Sequence, residues 1–430
     1  MTAEPTTDPA LRGRRVVHLH VGAPKTGTTQ LQDVLFSNRD LLREHGVLVP
    51  GQHRQSQFHA TVDLLDMSWG GVLETARGAF DDLTAQIQDW PGDVVISNEN
   101  LCVADEATIA RVRAALPDHE LRVVYSARDL IRQIPAAWQE KVKHSSTSDY
   151  GTFVHNLRED PDEEGSRRFW HRQTWPEVVD RWSRGLGGVP ATVVTVPATG
   201  QDQELLLGRF CEAFGLAGEW LPDRTARSNP GLGPRETTML RIIQAELDAR
   251  DTKGAVRRTS LRGAMLGRWW ASRPTSGRVA LPAEARDWAS DLSREWVGRL
   301  QASDVRVVGD LTDLVPTDAV TSTAVDPDKV GADELLVLAV RTIADALEEQ
   351  ADLVGQRRLL TRERDDLRAV TDDLRAAAEG YAAERDAARA RVAELERSRW
   401  QAAKERMVAA AHDNWALGIG YAGYRLLRRR

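Results

Sequence analysis

Short apolar runs alternate with longer amphipathic stretches from residue 15 to about residue 316. The runs are rich in β-branched residues, so each predicts a short, fully buried strand. Between them, apolar residues recur at helical spacing. This alternation predicts an α/β fold with a central, largely parallel sheet flanked by helices. The predicted strands are Val16–Val21, Val94–Ser97, Leu121–Ser126, Thr192–Val196 and Val305–Val308.

Two predicted helices directly follow strands. Thr28–Glu44 carries leucine and valine at roughly helical spacing, and Leu130–Lys143 places its apolar residues on one face. Open α/β sheets bind phosphate groups where a strand, a loop and a helix follow one another in this order. The two loops before these helices are therefore candidate anion sites.

A different pattern begins after Val315-Pro316. Residues 317–332 are rich in Thr, Asp and Pro and predict a linker, whereas residues 333–406 contain no proline and predict a long helix. Apolar residues recur there at intervals of seven, at Leu353, Leu360, Leu367, Leu374, Tyr381, Ala388 and Leu395. Such a helix is typical of a coiled coil, which would give a homodimer. Arginines occupy several of the second positions of the repeat that a coiled coil fills with apolar residues. The alternative is therefore a single charged helix that packs back on the first domain.

The last residues, 407–430, combine aromatic and aliphatic side chains with clustered arginine. A basic amphipathic tail of this kind predicts peripheral contact with an anionic membrane surface, and a charged solvated end is the alternative.

Composition bears on compartment and partners. The net charge of -7 gives no general attraction to nucleic acid. The two cysteines, Cys102 and Cys211, indicate neither a disulfide framework nor a Cys-based zinc site. The chain also lacks the apolar run of a signal peptide or the roughly 20 apolar residues of a membrane span. We therefore expect a cytoplasmic protein, which the basic tail would place at the inner membrane face if that tail contacts the membrane.

The loop after the first strand carries the first candidate chemistry. Gly22 and Gly27 have the spacing of the triphosphate loop G-x-x-x-x-G-K-[ST], but Thr28 stands where that loop has Lys. Lys25, one of only six lysines, lies inside the loop instead. The pattern predicts a cradle for a shorter anion and does not call for a metal.

The run Pro24-Lys25-Thr26-Gly27-Thr28-Thr29, followed by Leu31, resembles the 5'-phosphosulfate loop of sulfotransferases. These enzymes use 3'-phosphoadenosine-5'-phosphosulfate (PAPS) as donor. The resemblance implies that this run holds the donor and that Lys25 stabilises the bridging oxygen as the sulfuryl group leaves. The implied donor-binding residues of the loop are Lys25, Thr26, Gly27, Thr28 and Thr29.

The resemblance extends to the strand Leu121–Ser126, which runs into Arg128. An arginine here clamps the donor 3'-phosphate in the family, because a guanidinium can grip a phosphate with two hydrogen bonds. The alternative is that Arg128 simply pairs with Asp129 or another acidic neighbour. Many members have a Ser eight residues after the Arg, where this chain has Ala136. The residue that contacts the 3'-phosphate in place of this Ser could be Arg132, Gln133, Gln139 or a residue after Arg227.

Transfer to a hydroxyl needs a base. Glu99 follows the strand Val94–Ser97 at the place where family members carry a catalytic His or Glu, so it is the predicted base. The alternative is that Glu99 orders its loop or binds the acceptor, and His59 is its main rival. His18 and His20 alternate on one face of the first strand and are predicted to be histidines of the core or its rim, with a metal site as the alternative.

Three further features bear on the acceptor. The predicted helix after Arg128 ends in three cationic residues, Lys141, Lys143 and His144. Cations are favoured at a helix C-terminus by the helix dipole. The alternative is that they contact an anionic donor or acceptor. Residues 144–175 are predicted to be an irregular insertion that forms a lid or acceptor loop. The tryptophans at 269, 270, 288 and 296 are predicted to serve packing, with stacking on a sugar or lipid as the alternative.

The sequence therefore predicts a PAPS-dependent sulfotransferase with a catalytic domain over residues 13–316. Its acceptor hydroxyl belongs to a carbohydrate, a glycolipid or a small metabolite. A P-loop nucleotide kinase or NTPase is one alternative. A non-catalytic coiled-coil scaffold with a degenerate donor site is the other.

Overall fold

The computed structural model describes residues 15–68, 70–198, 203–224, 231–252, 254, 257–271, 273, 275–315, 324–413, 420, 423 and 424. Its strands are β1 Val16–His20, β2 Val47–Leu48, β3 Asp93–Ser97, β4 Glu120–Ala127, β5 Thr192–Thr195, β6 Arg278–Val279, β7 Arg306–Val308 and β8 Ala324–Val325. Six of them form one parallel sheet in the order β2-β3-β1-β4-β5-β7. The predicted α/β fold with a central parallel sheet is confirmed, and all five predicted strands are present.

Helices cover the sheet and the regions between its strands. The α-helices are α1 Thr28–Ser37, α2 Arg39–Glu44, α3 Ser56–Leu64, α4 Val72–Ala76, α5 Ala79–Gln88, α6 Glu106–Ala115, α7 Leu130–Lys143, α8 Tyr150–Glu159, α9 Glu164–Gln173, α10 Trp175–Gly185, α11 Gln203–Phe214, α12 Pro234–Ala249, α13 Ala283–Gln301 and α14 Ala332–Asp413. Short 3-10 helices span Glu99–Val103, Gly218–Trp220, Leu311–Leu314 and Pro327–Lys329, and a π-helix spans Arg257–Trp269.

Residues of β1 point alternately to the two faces of the sheet. Val17 and Leu19 belong to a large apolar core, which also contains residues of α3, α5, α6, α7 and α10. On the opposite face, Val95 and Val124 of the neighbouring strands pack with residues of α1 and α11. Both faces of the sheet are therefore buried, as the continuous apolar runs predicted.

The helix prediction for Leu130–Lys143 is confirmed by α7, whose first turn is capped by the side chain of Asp129. The single helix predicted over Thr28–Glu44 is divided at Asn38 into α1 and α2. The Asn38 amide donates to the backbone oxygens of Val34, at 2.8 Å, and Asp223, at 2.6 Å. These bonds hold a turn that helical periodicity alone does not show.

The prediction that residues 144–175 form an irregular insertion is wrong. Most of this segment lies in α8 and α9, which are capped by the side chains of Asp149 and Glu163. The predicted packing role of the tryptophans is confirmed for Trp270 and Trp296, which are buried in the core.

The chain divides into two compact units, Met1–Thr342 and Ile343–Arg430. In the first unit, β8 pairs with β6, and Asp328 accepts hydrogen bonds from the backbone of Tyr150 and Gly151 at the start of α8. The described part of the predicted linker 317–332 is thus packed within that unit. Residues 13, 14, 316–323, 414–419, 421, 422 and 425–430 lie outside the described residues, and with them most of the predicted basic tail.

The second unit consists of the greater part of α14, whose seven-residue repeat is exposed. Leu360, Leu367 and Leu374 are 64%, 61% and 66% exposed. Within the described residues, no helix is long and apolar enough to cross a membrane.

His18 and His20 are buried on the face of β1 that packs against α11, as predicted for core histidines. Burial, assisted by Arg122, lowers the pKa of His18 to about 4. Burial lowers the pKa of His20 to about 3, against the opposing effect of a hydrogen bond with the Gly22 backbone. Both rings are therefore neutral in the folded protein near neutral pH.

These two rings make stability depend on pH. In the unfolded chain each His takes up a proton near pH 6.5, whereas in the folded chain His18 does so only near pH 4 and His20 near pH 3. Between these values the unfolded chain binds more protons than the folded chain. The free energy of unfolding therefore decreases as the pH falls through this window, from 6.5 toward 3. We expect His18→Phe to reduce the slope by up to about 1.4 kcal/mol per pH unit, measured by urea unfolding across the window. The exposed control His155→Gln should keep the wild-type slope, and an unchanged slope in His18→Phe would contradict this account.

Candidate functional site

The predicted site residues follow three neighbouring strands. β1 lies between β3 and β4, and all three are parallel. Residues beyond the carboxyl ends of parallel strands meet at one edge of the sheet, and ligands bind where chain connections diverge to either side of a strand. Glu99 follows β3, Lys25 follows β1 and Arg128 follows β4. The fold therefore gathers the three predicted residues at one edge.

The loop between β1 and α1 is tightly packed at both glycines. Gly22 has a φ of 124°, and a Cβ there would lie 3.1 Å from the backbone oxygen of Glu99. Gly27 has a φ of 87°, and a Cβ there would lie 2.7 Å from Leu206 Cδ2. Lys25 has a φ of 69°, a region that residues with a side chain rarely adopt. Strain of this kind is common at functional sites, where the surrounding packing maintains it.

A buried polar network lies directly beneath the loop. Ser126 Oγ is 2.7 Å from the Gly22 carbonyl oxygen, 2.5 Å from Thr26 Oγ1 and 3.2 Å from His20 Nε2. The other ring nitrogen of His20 is 2.8 Å from Ser97 Oγ. Thr26 is fully buried, so its side chain fixes the shape of the loop. Ser126 and His20 were not identified as site residues from the sequence.

Gly27, Thr28 and Thr29 form the start of α1. Gly27 is the N-cap and supplies no side-chain hydrogen bond, so no capping side chain satisfies the first-turn N–H groups. Such groups, together with the helix dipole, favour an anion. Thr28 is buried, whereas Thr29 is partly exposed. The backbone of this turn and the Thr29 hydroxyl are therefore the groups suited to bind a ligand.

Lys25 makes an ion pair that the sequence did not reveal. Its Nζ lies 2.6 Å from Glu140 Oε2 on α7, and Glu140 Oε1 lies 3.1 Å from His144 Nε2. Burial opposes ionisation of Glu140, but the His144 hydrogen bond and the Lys25 charge outweigh it and hold the Glu140 pKa well below its usual range. Glu140 is therefore anionic and positions the Lys25 ammonium.

Arg128 lies at the base of the loop, where its Nη1 donates to the Lys25 carbonyl oxygen at 3.1 Å. Its Nε is buried and has no acceptor in the described part of the chain. Burial, followed by the charge of Arg132, lowers the pKa of Arg128 to about 10, against the opposing charge of Asp129. The Asp129 carboxylate is bonded to Arg132 rather than to Arg128. A buried donor without a partner is costly, so a bound anion here would be stabilising.

Two of the candidates for the donor contact that Ala136 cannot make form hydrogen bonds to the protein backbone instead. Arg132 Nη1 donates to the Pro197 oxygen at 2.8 Å, and Gln139 Nε2 donates to the Leu232 oxygen at 2.5 Å. The segment 225–230, which includes the residues after Arg227, lies outside the described residues.

Gln133 contacts the loop directly. Its Nε2 donates to the Pro24 oxygen at 2.7 Å, while its Oε1 is buried with no donor in the described residues. An unpaired acceptor does not suit a phosphate. Gln133 is therefore placed to hold the loop and to accept a hydrogen bond from a ligand hydroxyl or amino group.

The two candidate bases have different surroundings. Glu99 Oε2 accepts a hydrogen bond of 2.9 Å from Gln32 Nε2 on α1, which ties the carboxylate to the helix that follows the loop. The His59 ring contacts the rings of His53 and Phe58, and burial, assisted by His53, lowers its pKa. Of the two, Glu99 is therefore the residue tied to the helix that follows the loop.

A cleft of about 920 Å³ opens beside Lys25. Its walls include Lys141 and His144 from the end of α7 and the following turn, together with residues of α9. Burial, followed by the charge of Lys25, lowers the pKa of Lys143, so this lysine also lies within the field of the loop. In the residues described, no group of three or more His, Cys, Asp or Glu side chains is arranged to hold a metal ion.

Comparison with known proteins adds one structural likeness. No protein-family model matches the chain, and no curated protein matches it. The crystal structure of a sulfotransferase from Alicyclobacillus acidocaldarius is similar, with 17% sequence identity and a TM-score of 0.32 over 56% of this chain and 98% of that chain.

Proposed function

We propose that this protein is a PAPS-dependent sulfotransferase, which moves a sulfuryl group from the donor to an acceptor hydroxyl. The observation that carries the proposal is the placement of Lys25 and Arg128. Lys25 lies inside the loop between β1 and α1, and the partly buried Arg128 guanidinium donates to its carbonyl oxygen at 3.1 Å while the buried Arg128 Nε has no acceptor among the described residues. Two cationic groups beside one helix N-terminus suit a donor with a phosphosulfate at one position and a second phosphate at another.

Each site residue has a defined part in the proposed reaction. The first turn of α1 and Arg128 bind the phosphates, and Lys25 stabilises charge on the bridging oxygen as the sulfur–oxygen bond breaks. The acceptor oxygen forms the new bond to sulfur, and its proton passes to the Glu99 carboxylate. The products are the sulfated acceptor and 3'-phosphoadenosine 5'-phosphate (PAP).

The proposal is tested by labelled transfer. The protein is incubated with ³⁵S-labelled PAPS or with γ-³²P-labelled ATP and magnesium, together with a panel of carbohydrate, glycolipid and small hydroxyl acceptors. We expect ³⁵S to enter an acceptor. Transfer of ³²P instead would support the nucleotide kinase alternative and overturn the proposal.

Arg128→Lys is expected to weaken PAP binding about 10- to 100-fold, because a lysine cannot reproduce the guanidinium's fixed pair of donors. The matched control is Arg122→Lys on β4, the strand before Arg128, where Arg122 pairs with Glu120 at the end away from the loop. Calorimetric titration measures both affinities. Equal PAP affinity in Arg128→Lys and the control would remove Arg128 from the donor site.

The proposal also includes assembly. The exposed seven-residue repeat of α14 favours pairing with a second copy of the chain, which would give a homodimer. We also propose that the basic tail, residues 407–430, contacts an anionic membrane surface. Light scattering of the full chain measures its mass in solution, and a strictly monomeric protein would exclude the coiled-coil dimer.

A further inference from the structure

The cleft beside Lys25 is strongly cationic in a protein whose net charge is -7. Among its described lining residues, the carboxylate is that of Glu140, which already pairs with Lys25. The cationic side chains of the lining are Lys25, Lys141, Arg168, Arg172 and Arg262. The local charge is thus opposite to that of the whole chain, and such a cleft attracts anions.

Within the described part of the chain, Arg172 and Lys141 have no carboxylate within ion-pair distance. For the half-buried Arg172 guanidinium, the described residues provide neither a hydrogen-bond acceptor nor an ion-pair partner. Lys141 lies 5.0 Å above the Phe153 ring, and burial lowers its pKa against the more distant charge of Glu163. Partly desolvated cations without a paired carboxylate are costly in the free protein, so an anionic ligand would be stabilising there.

The remaining cations face the cleft with weaker partners. Arg262 Nη2 lies 3.0 Å from His144 Nδ1, which is not a carboxylate. Arg168 pairs with Glu164 one helical turn earlier, but this arginine is 73% exposed, so the pair contributes little. Both guanidinium groups therefore remain able to bind a ligand.

The other lining residues indicate the rest of the ligand. Ser145 and Ser146 provide hydroxyl groups, while Ala137 and Phe169 provide apolar surface. A volume of about 920 Å³ accommodates a compact molecule such as one or two rings. Since Lys25 lies in the same wall, a hydroxyl on that molecule can approach the group being transferred.

We infer that the acceptor is itself an anion: a compact hydroxyl compound that carries carboxylate, phosphate or sulfate groups bound by Arg172, Arg168, Lys141 and Arg262. This inference rests on the proposed function, because it assigns the acceptor to the cleft next to the donor loop. It excludes neutral hydroxyl compounds as preferred acceptors.

The test uses pyranine, a fluorescent hydroxypyrene with three sulfonate groups, and uncharged hydroxypyrene as its matched probe. Fluorescence anisotropy with the full chain at low salt measures binding without requiring turnover. Arg172→Gln and Arg168→Glu should each weaken pyranine binding about tenfold or more. The control is Arg167→Glu, an exposed neighbour on α9 outside the cleft lining, which should leave binding near the wild-type value.

PAP titration of the same variants separates the acceptor from the donor. We expect PAP affinity in Arg172→Gln and Arg168→Glu to match the wild type. If it falls in parallel with pyranine affinity, the cleft holds the donor's own phosphates and the inference is overturned. Pyranine binding that is no tighter than hydroxypyrene binding, or equal in all variants, also overturns it. Cleft-dependent pyranine binding in a protein that does not bind PAP would support the anion cleft and reject the sulfotransferase proposal.

Discussion

Lys25→Ala is expected to lower the rate of sulfuryl transfer by about 10²- to 10³-fold, the usual effect of removing one group that stabilises charge in a transition state. Lys25 is held inside the loop by its left-handed backbone and by Glu140, 2.6 Å away. Its ammonium would stabilise the bridging oxygen chiefly as charge develops there. The loss should therefore appear mainly in kcat, with a smaller loss of PAP affinity.

Lys25→Ala removes the lysine partner of Glu140, which keeps only its contact with His144, and the carboxylate would then repel an anionic donor. A double variant, Lys25→Ala with Glu140→Gln, removes that repulsion and should remain slow. Lys329→Ala is the matched control, because this lysine is 82% exposed and lies outside the loop. A double variant that recovers the wild-type kcat would show that Lys25 has no part in the chemical step.

Glu99→Gln is expected to lower kcat by about 10²- to 10⁴-fold, because an amide cannot take the acceptor proton. The amide oxygen can still accept the hydrogen bond from Gln32 Nε2, so the local structure should persist. PAP affinity should remain at the wild-type value. This split between turnover and donor binding distinguishes a base from a residue that only orders its loop.

His59→Gln provides the comparison for the second candidate base. We expect it to retain most of the activity, since the His59 ring packs with His53 and Phe58. A large loss of kcat in His59→Gln, with an active Glu99→Gln variant, would transfer the role of base to His59.

The sheet could be predicted from the sequence because its strands depend on local patterns. Continuous β-branched runs occur in buried parallel strands, and the order of strand, loop and helix locates Lys25 and Arg128. The helix Leu130–Lys143 was predicted correctly since its apolar face and its Asp129 cap lie within one segment.

The features that were missed depend on tertiary contacts or on short helices. The Lys25–Glu140 pair joins residues distant in sequence, and the break at Asn38 depends on a bond to Asp223. The helix α8 does have a local sequence pattern, because its buried residues recur at helical spacing: Tyr150, Phe153, Val154 and Leu157. Dense charge around them concealed it.

The most direct test of the donor site is calorimetric titration of the full chain with PAP and, separately, with ATP and magnesium. If Lys25 and Arg128 bind the donor, the chain has one PAP site, whose affinity is independent of magnesium and is weakened in Lys25→Ala and Arg128→Lys. Binding of ATP with magnesium but not of PAP would contradict it and would favour a nucleotide kinase built on the same sheet.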